Sequence, residues 1–136
     1  MLNKEDIQPF ASIENLGNLR AYQLSRDLSK TVWRIVQRWD WFSKSTIGSQ
    51  WVRATDSISA NFSEGYGAYF FNDSVKFYYY ARRSLFECCD WFGKANERGL
   101  ISKDEYNKIK AILDELPLEI NKIIKRVRNN RNLYGQ

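Results

Sequence analysis

Apolar residues recur three and four positions apart from Leu19 to Val127, and this period constrains the fold more than any other feature of the sequence. That spacing places side chains on one side of an α-helix. Four such stripes follow one another, separated by short stretches of residues that end or begin helices. With only 7 Gly and 2 Pro in 136 residues, the chain has little material for the turns of an all-β fold. The pattern therefore predicts an all-α, single-domain, up-and-down antiparallel four-helix bundle.

The pattern also predicts boundaries. We expect an N-terminal arm over 1–18, the four-helix bundle over 19–130 and a basic C-terminal tail over 131–136. The four helices are expected over 19–39, 46–64, 72–98 and 102–127. Gly65 and Gly99 are expected to end the second and third helices, because glycine adopts the left-handed conformation at a helix C-terminus.

Helix starts and one proline complete the prediction. Asn72 or Asp73 is expected to cap the third helix, and Ser102 with Glu105 matches the capping box of the fourth. Pro117 is expected to bend the fourth helix without ending it, because the apolar period continues past it in phase. The third helix is apolar nearly all round and is therefore expected to be buried on two faces. Its predicted core stripe is Phe77, Ala81, Ser84, Cys88, Trp91 and Ala95.

The composition argues against most enzyme classes. The chain has no histidine, which is the usual general base and the commonest metal ligand. Cys88 and Cys89 are adjacent, and on a helix their side chains diverge by about 100°, so a bond between them would be strained. Free thiols are typical of a reducing compartment, and the first residues lack the apolar run of a signal peptide. The sequence predicts a cytoplasmic protein with no enzymatic activity, cofactor, metal or membrane span.

A set of polar residues flanks the core stripes of the second and third helices. Their spacing places them within one sector of each helix, half buried between the two. A hydrogen-bonded structural network is predicted, since buried polar groups need partners. The alternative is a catalytic site in which Glu64 and Glu87 are paired carboxylates. The residues of this set are Gln50, Arg53, Ser57, Asn61, Glu64, Ser84 and Glu87.

Basic residues accumulate at the C-terminal end. Residues 120–136 hold five basic residues and no acidic residue, which equals the whole net charge of +5. Such a run complements the helix dipole, or it binds a polyanion through Lys and Arg contacts to phosphate. Arg26, Lys30, Arg34 and Arg38 on the first helix are expected to widen the patch. The candidate nucleic-acid-binding residues are Lys122, Lys125, Arg126, Arg128 and Arg131.

Several aromatic residues fall outside the predicted core stripes, Trp33 and Trp41 among them. Base stacking by such rings is one interpretation. The favoured interpretation is a subunit interface, because a monomer rarely exposes so large an apolar patch. The predicted interface residues are Tyr69, Phe70, Phe71, Tyr79 and Phe86.

Three segments carry a resemblance to a known family. Residues 50–67 resemble the Q-x-x-R-A-x-x-S-I-x-x-N-x-x-E-G signature of the bacterial 23S rRNA-intervening sequence proteins. Residues 77–87 resemble that family's second block, A-x-G-S-x-x-E, and 19–28 look like its first helix. Arg83 stands where the family usually has glycine, and Ala68 where a basic residue often follows the second loop glycine.

The resemblance implies a homo-oligomeric four-helix bundle, with a pentameric ring as the expected assembly. It also relates the chain to the accessory variability determinant protein of diversity-generating retroelements, which binds nucleic acid and a reverse transcriptase. The leading hypothesis is a non-enzymatic, self-assembling bundle that binds RNA or DNA through its basic fourth helix and tail. The alternative is an oligomeric scaffold for a protein partner such as a reverse transcriptase.

Overall fold

The computed structural model describes the backbone over residues 13–134 and the side chains over 15–130. The short α1 (Ile13–Gly17) is followed by α2 (Arg20–Gln37), a three-residue turn α3 (Trp41–Ser43) and a π-helical turn (Lys44–Gly48). The remaining helices are α4 (Ser49–Gly67), α5 (Phe71–Glu97) and α6 (Lys103–Tyr134). The predicted arm thus contains α1 in its described part, while positions 1–12 lie outside the described residues.

The four long helices form the predicted up-and-down bundle. Helix α2 packs against α4 and α6, and α5 packs against the same two helices, so helices consecutive in the chain are neighbours. Short connections force neighbouring helices to run antiparallel. The fourth stripe is buried as predicted from Ile109 to Val127, and fully buried Trp51 is among the largest side chains of the core.

Helix α5 turns a different face to the core from the one predicted. Ala81, Cys88 and Ala95 are buried as expected, but Tyr78, Leu85 and Phe92 complete the core stripe. The predicted Phe77, Ser84 and Trp91 are only half-buried. The helix is apolar nearly all round, so its period could not choose between two stripes one residue apart.

The second bundle helix is preceded by a continuous helical segment, which begins at Trp41 and not at position 46. Asp40 caps α3, accepting hydrogen bonds from the Ser43 backbone N–H at 3.0 Å and the Ser43 hydroxyl at 2.8 Å. These bonds, the backbone one foremost, hold the pKa of Asp40 below its ordinary value. The π-helical turn then leads directly into α4. At Gly48, an added Cβ would lie 2.7 Å from Val36 Cγ1, so this glycine lets α2 approach closely.

The junction between α4 and α5 differs from the prediction in two ways. Gly65 does not end the helix, because α4 runs on to Gly67. The described residue with positive φ is instead Gly99, at 70°, which follows the end of α5. Asn72 and Asp73 do not cap α5, because the helix begins one residue earlier and Phe70 occupies the N-cap position. Only residues 68–70 therefore remain between the two helices.

The start of α6 is as predicted. The Ser102 backbone N–H donates to Glu105 Oε1 at 2.8 Å, and the Glu105 N–H donates to Ser102 Oγ at 3.1 Å, which is the reciprocal capping box. Pro117 lies inside the continuous helix, as expected. The helix extends to Tyr134, so Arg131 is a helical position and not part of a tail beyond the helix; its side chain lies outside the described residues.

Candidate nucleic-acid interface

The described basic residues of the C-terminal half of α6 are all exposed, but they do not share one face. Lys125 and Arg128 face α5, where they line a groove with Tyr79 and Arg82. Lys122 forms an ion pair with Glu119 at 3.0 Å. At 100° per residue, Arg126 projects on a different side of α6 from Lys125 and Arg128.

The groove between α5 and α6 is closed at one end by a contact between the helices. Arg128 donates a hydrogen bond from Nη2 to the Tyr79 hydroxyl, and its guanidinium lies over the Tyr79 ring, 5.4 Å from the centroid. One helical turn along α5, the Arg82 guanidinium lies 5.2 Å from the centroid of the Phe86 ring. Asn121 and Asn129 complete the groove. We call Tyr79, Arg82, Phe86, Lys125 and Arg128 the α5–α6 basic face.

The folding of the chain brings two acid-free segments together at this face. Residues 74–86 of α5 and 120–130 of α6 contain seven basic residues and no acidic residue. Within the described part of the chain, Arg82, Lys125 and Arg128 form no ion pair with a carboxylate. The nearby Glu119 is already paired with Lys122. Positive charge on this face is therefore not neutralised by an ion pair among the described residues.

The basic residues of α2 do not widen this patch. Lys30 and Arg34 line a separate groove against α6, together with Lys108 and the Arg20–Glu115 pair. Lys108 in this groove and Lys125 in the α5–α6 basic face are seventeen residues apart on one helix, which separates them by about 25 Å along the helix axis.

The two other basic residues of the α2 set have partners within the chain. Arg38 pairs with Glu105. Arg26 donates to the Tyr22 hydroxyl at 2.8 Å. The expectation of one continuous basic surface is therefore wrong.

Part of the predicted polar network is present between α4 and α5. The Ser57 and Ser84 hydroxyls lie 2.8 Å apart and join the two helices. The Asn61 amide donates to the Ser57 carbonyl at 2.8 Å and to its hydroxyl at 3.1 Å.

The other four members of the set, Gln50, Arg53, Glu64 and Glu87, are exposed, so their expected half-burial is wrong. Neither glutamate forms an ion pair with Arg53 in the described structure. Arg83, at the position where the family usually has glycine, is exposed too. It lies over the Tyr80 ring at 5.9 Å and lines a groove with Asn61 and Glu87, away from the core.

The predicted interface aromatics divide between core and surface. Phe71 is 2% exposed and belongs to the core, because α5 begins at this residue and turns it inward; its assignment to an interface is wrong. Tyr69, Tyr79 and Phe86 are exposed, and Phe70 is half-buried with its ring edge-on to Tyr69.

A second aromatic cluster lies at the other end of the bundle. Trp33 is 54% exposed, Trp41 79% and Phe42 70%. Sequence reasoning missed Phe42, although its place beside Trp41 at a helix start, outside any stripe, was a usable signal.

The cysteines and acidic residues offer little chemistry. Both thiols are free. Burial raises the pKa of Cys88 to about 12, with Thr55 Oγ1 3.2 Å from its sulfur. Over residues 13–134, no group of three or more Cys, Asp or Glu side chains is placed to hold a metal ion. No helix in the same range has the length and apolar content to cross a membrane.

Comparison with known proteins places this bundle in a family. The sequence model of the 23S rRNA-intervening sequence proteins matches residues 17–122, which include both signature blocks. The chain belongs to the 23S rRNA-intervening sequence protein family. A solved structure of a protein of unknown function from the S23 ribosomal protein family of Bacteroides thetaiotaomicron shares the fold, with a TM-score of 0.63 at 22% sequence identity. The similarity covers 77% of this chain and 98% of that one. No curated protein matches the chain.

Proposed function

We propose that this family member is a non-enzymatic, self-assembling helical bundle that binds RNA or DNA, and that the α5–α6 basic face is the binding surface. The observation that carries the proposal is the convergence of two acid-free basic segments on one face. Phosphate oxygens supply the negative charge that the described residues do not provide there, and release of condensed counterions drives such binding. Arg128 and Arg82 also present planar guanidinium groups suited to phosphate.

The test compares nucleic-acid binding by two variants that lose the same positive charge, one from the α5–α6 basic face and one from another groove. The variant Arg82→Gln/Lys125→Gln/Arg128→Gln lowers the net charge from +5 to +2. Fluorescence anisotropy with labelled RNA and DNA should show weaker binding and a smaller slope of log affinity against log salt. At about 0.7–0.9 per phosphate contact, the loss of three contacts reduces the slope by roughly 2–3.

The matched control is Lys30→Gln/Arg34→Gln/Lys108→Gln, which removes the same charge from the α2–α6 groove. It should keep most of the salt slope of the wild type. Equal losses in the two variants would mean that net charge alone attracts the nucleic acid, and the proposed surface would be wrong.

Self-assembly is supported by the second aromatic cluster, Trp33, Trp41 and Phe42. Large rings at this exposure are typical of interfaces. Light scattering after size exclusion should give a mass several times 16.1 kDa, which Trp41→Ser/Phe42→Ser lowers. A monomeric wild type would instead favour the alternative, in which these rings bind a protein partner such as a reverse transcriptase.

A further inference from the structure

The exposed rings of the α5–α6 basic face are not explained by phosphate binding. Phe86 is 59% exposed and Tyr79 37% exposed, and each ring lies against a guanidinium. Tyr79, Arg82 and Phe86 follow one another at spacings of three and four on the outward side of α5, so aromatic and basic side chains alternate along one stripe. Cations would bind phosphate equally well without the rings.

We propose that this face binds single-stranded nucleic acid, with Phe86 and Tyr79 as the rings on which bases stack. This inference rests on the proposed nucleic-acid function and names its substrate class. Every base has a face that stacks on an aromatic ring, so exposed rings beside cations suit single strands without sequence preference.

The spacing of the rings favours a single strand over a duplex. Seven residues of α5 separate Tyr79 from Phe86, which is about 10.5 Å along the helix axis. Bases of one duplex strand are about 3.4 Å apart and remain stacked on one another. Only an unpaired strand can turn separate bases onto two rings at this distance, while its phosphates reach Arg82, Lys125 and Arg128.

Charge argues against a second copy of the chain as the occupant of this face. A symmetric contact through the face would bring Arg82, Lys125 and Arg128 of two subunits together, and no side-chain carboxylate of residues 74–86 or 120–130 could offset the repulsion. The Trp33, Trp41 and Phe42 cluster lies at the other end of the bundle, beside the α2–α3 connection.

The test measures affinities for oligonucleotides of about 16 nucleotides. The probes are labelled oligo-dT, oligo-U and a mixed-sequence DNA duplex of the same length. The wild type should bind the single strands more tightly than the duplex. Phe86→Ala should weaken single-strand binding about 5- to 150-fold, which corresponds to one stacked base, and leave duplex binding and the salt slope unchanged. Phe86→Trp, which retains a ring, should restore the affinity.

Tyr69→Ala is the matched control, because it removes a ring of similar exposure, 56%, that lies outside both the α5–α6 basic face and the second aromatic cluster and has no cation against it in the described structure. It should leave single-strand affinity unchanged. If Phe86→Ala weakens both probe types equally, or changes neither while the oligomer dissociates, the stacking role is overturned and Phe86 is a packing or subunit contact. If the protein binds the duplex and Phe86→Ala changes the affinity for neither probe type, this inference alone is overturned. If the wild type binds no probe even at low salt, the proposed function is overturned as well.

Discussion

Replacing Gly65 by alanine should destabilise this protein, although alanine is the better helix former. A Cβ added at Gly65 would lie 2.7 Å and 2.8 Å from Cε1 and Cδ1 of the Tyr78 ring, and 3.0 Å from the Ser74 backbone oxygen. The ring cannot turn away easily, since Tyr78 is 1% exposed and packs on Phe62 with centroids 5.9 Å apart. The absence of a side chain at Gly65 therefore lets α4 and α5 approach closely at this position.

Two opposing energies decide whether Gly65→Ala stabilises or destabilises the protein. Alanine gains about 1 kcal/mol of helix propensity over glycine, while overpacking a buried site costs about 1–3 kcal/mol, and more where backbone must move. Because the Ser74 backbone oxygen and the buried Tyr78 ring both limit relaxation, the cost falls in the upper part of this range, about 2–3 kcal/mol, and we expect a net loss on the order of 1–2 kcal/mol in the free energy of unfolding. With a urea m-value of about 2 kcal/mol/M, the midpoint falls by roughly 0.5–1 M.

Gly93 provides the control, because it lies in helix α5 and a Cβ there meets nothing within 4 Å. Gly93→Ala should raise the free energy of unfolding by up to about 1 kcal/mol, which raises the urea midpoint by up to about 0.5 M. In a Tyr78→Leu background, which removes the ring, the cost of Gly65→Ala should shrink. All variants are compared at one protein concentration, since assembly makes stability concentration-dependent. A Gly65→Ala midpoint equal to or above that of the wild type would refute the reasoning.

Two further predictions follow from single contacts. In Cys89→Ser, the Cys88 thiol should react with Ellman's reagent only as fast as the protein opens, because burial raises its pKa to about 12; fast reaction of the native protein at mildly alkaline pH would contradict its burial. The hydrogen bond from Arg20 holds the pKa of Glu115 below its ordinary value, so any stability from this pair is present above that value and is lost as pH falls. Urea midpoints of the wild type and Glu115→Gln should therefore converge toward acid pH, and also at high salt because the pair is exposed; a constant difference would show that the charge is not responsible.

The sequence by itself determined the class of the fold and several of its details. A helical period sustained over four segments admits only helices packed side by side, and short connections leave them antiparallel. The capping box at Ser102 was predictable because both of its bonds are local, within three residues. That Pro117 does not end the fourth helix was also predictable, because the phase of the apolar stripe is preserved across it.

Only the tertiary structure decided which faces meet. Helix α5 is apolar nearly all round, so contacts with α4 and α6 selected Tyr78, Leu85 and Phe92 in place of the stripe one residue away. Gly65 reads as a helix stop in sequence, yet its role is set by the Tyr78 ring, thirteen residues further along the chain. The α5–α6 basic face is likewise invisible to local reasoning, which placed Tyr79 in a subunit interface and Arg128 in a phosphate site. In the structure these two side chains contact each other across the α5–α6 boundary. Each helix is rotated about its own axis so that its apolar stripe is buried, and this rotation places Tyr79 beside Arg128.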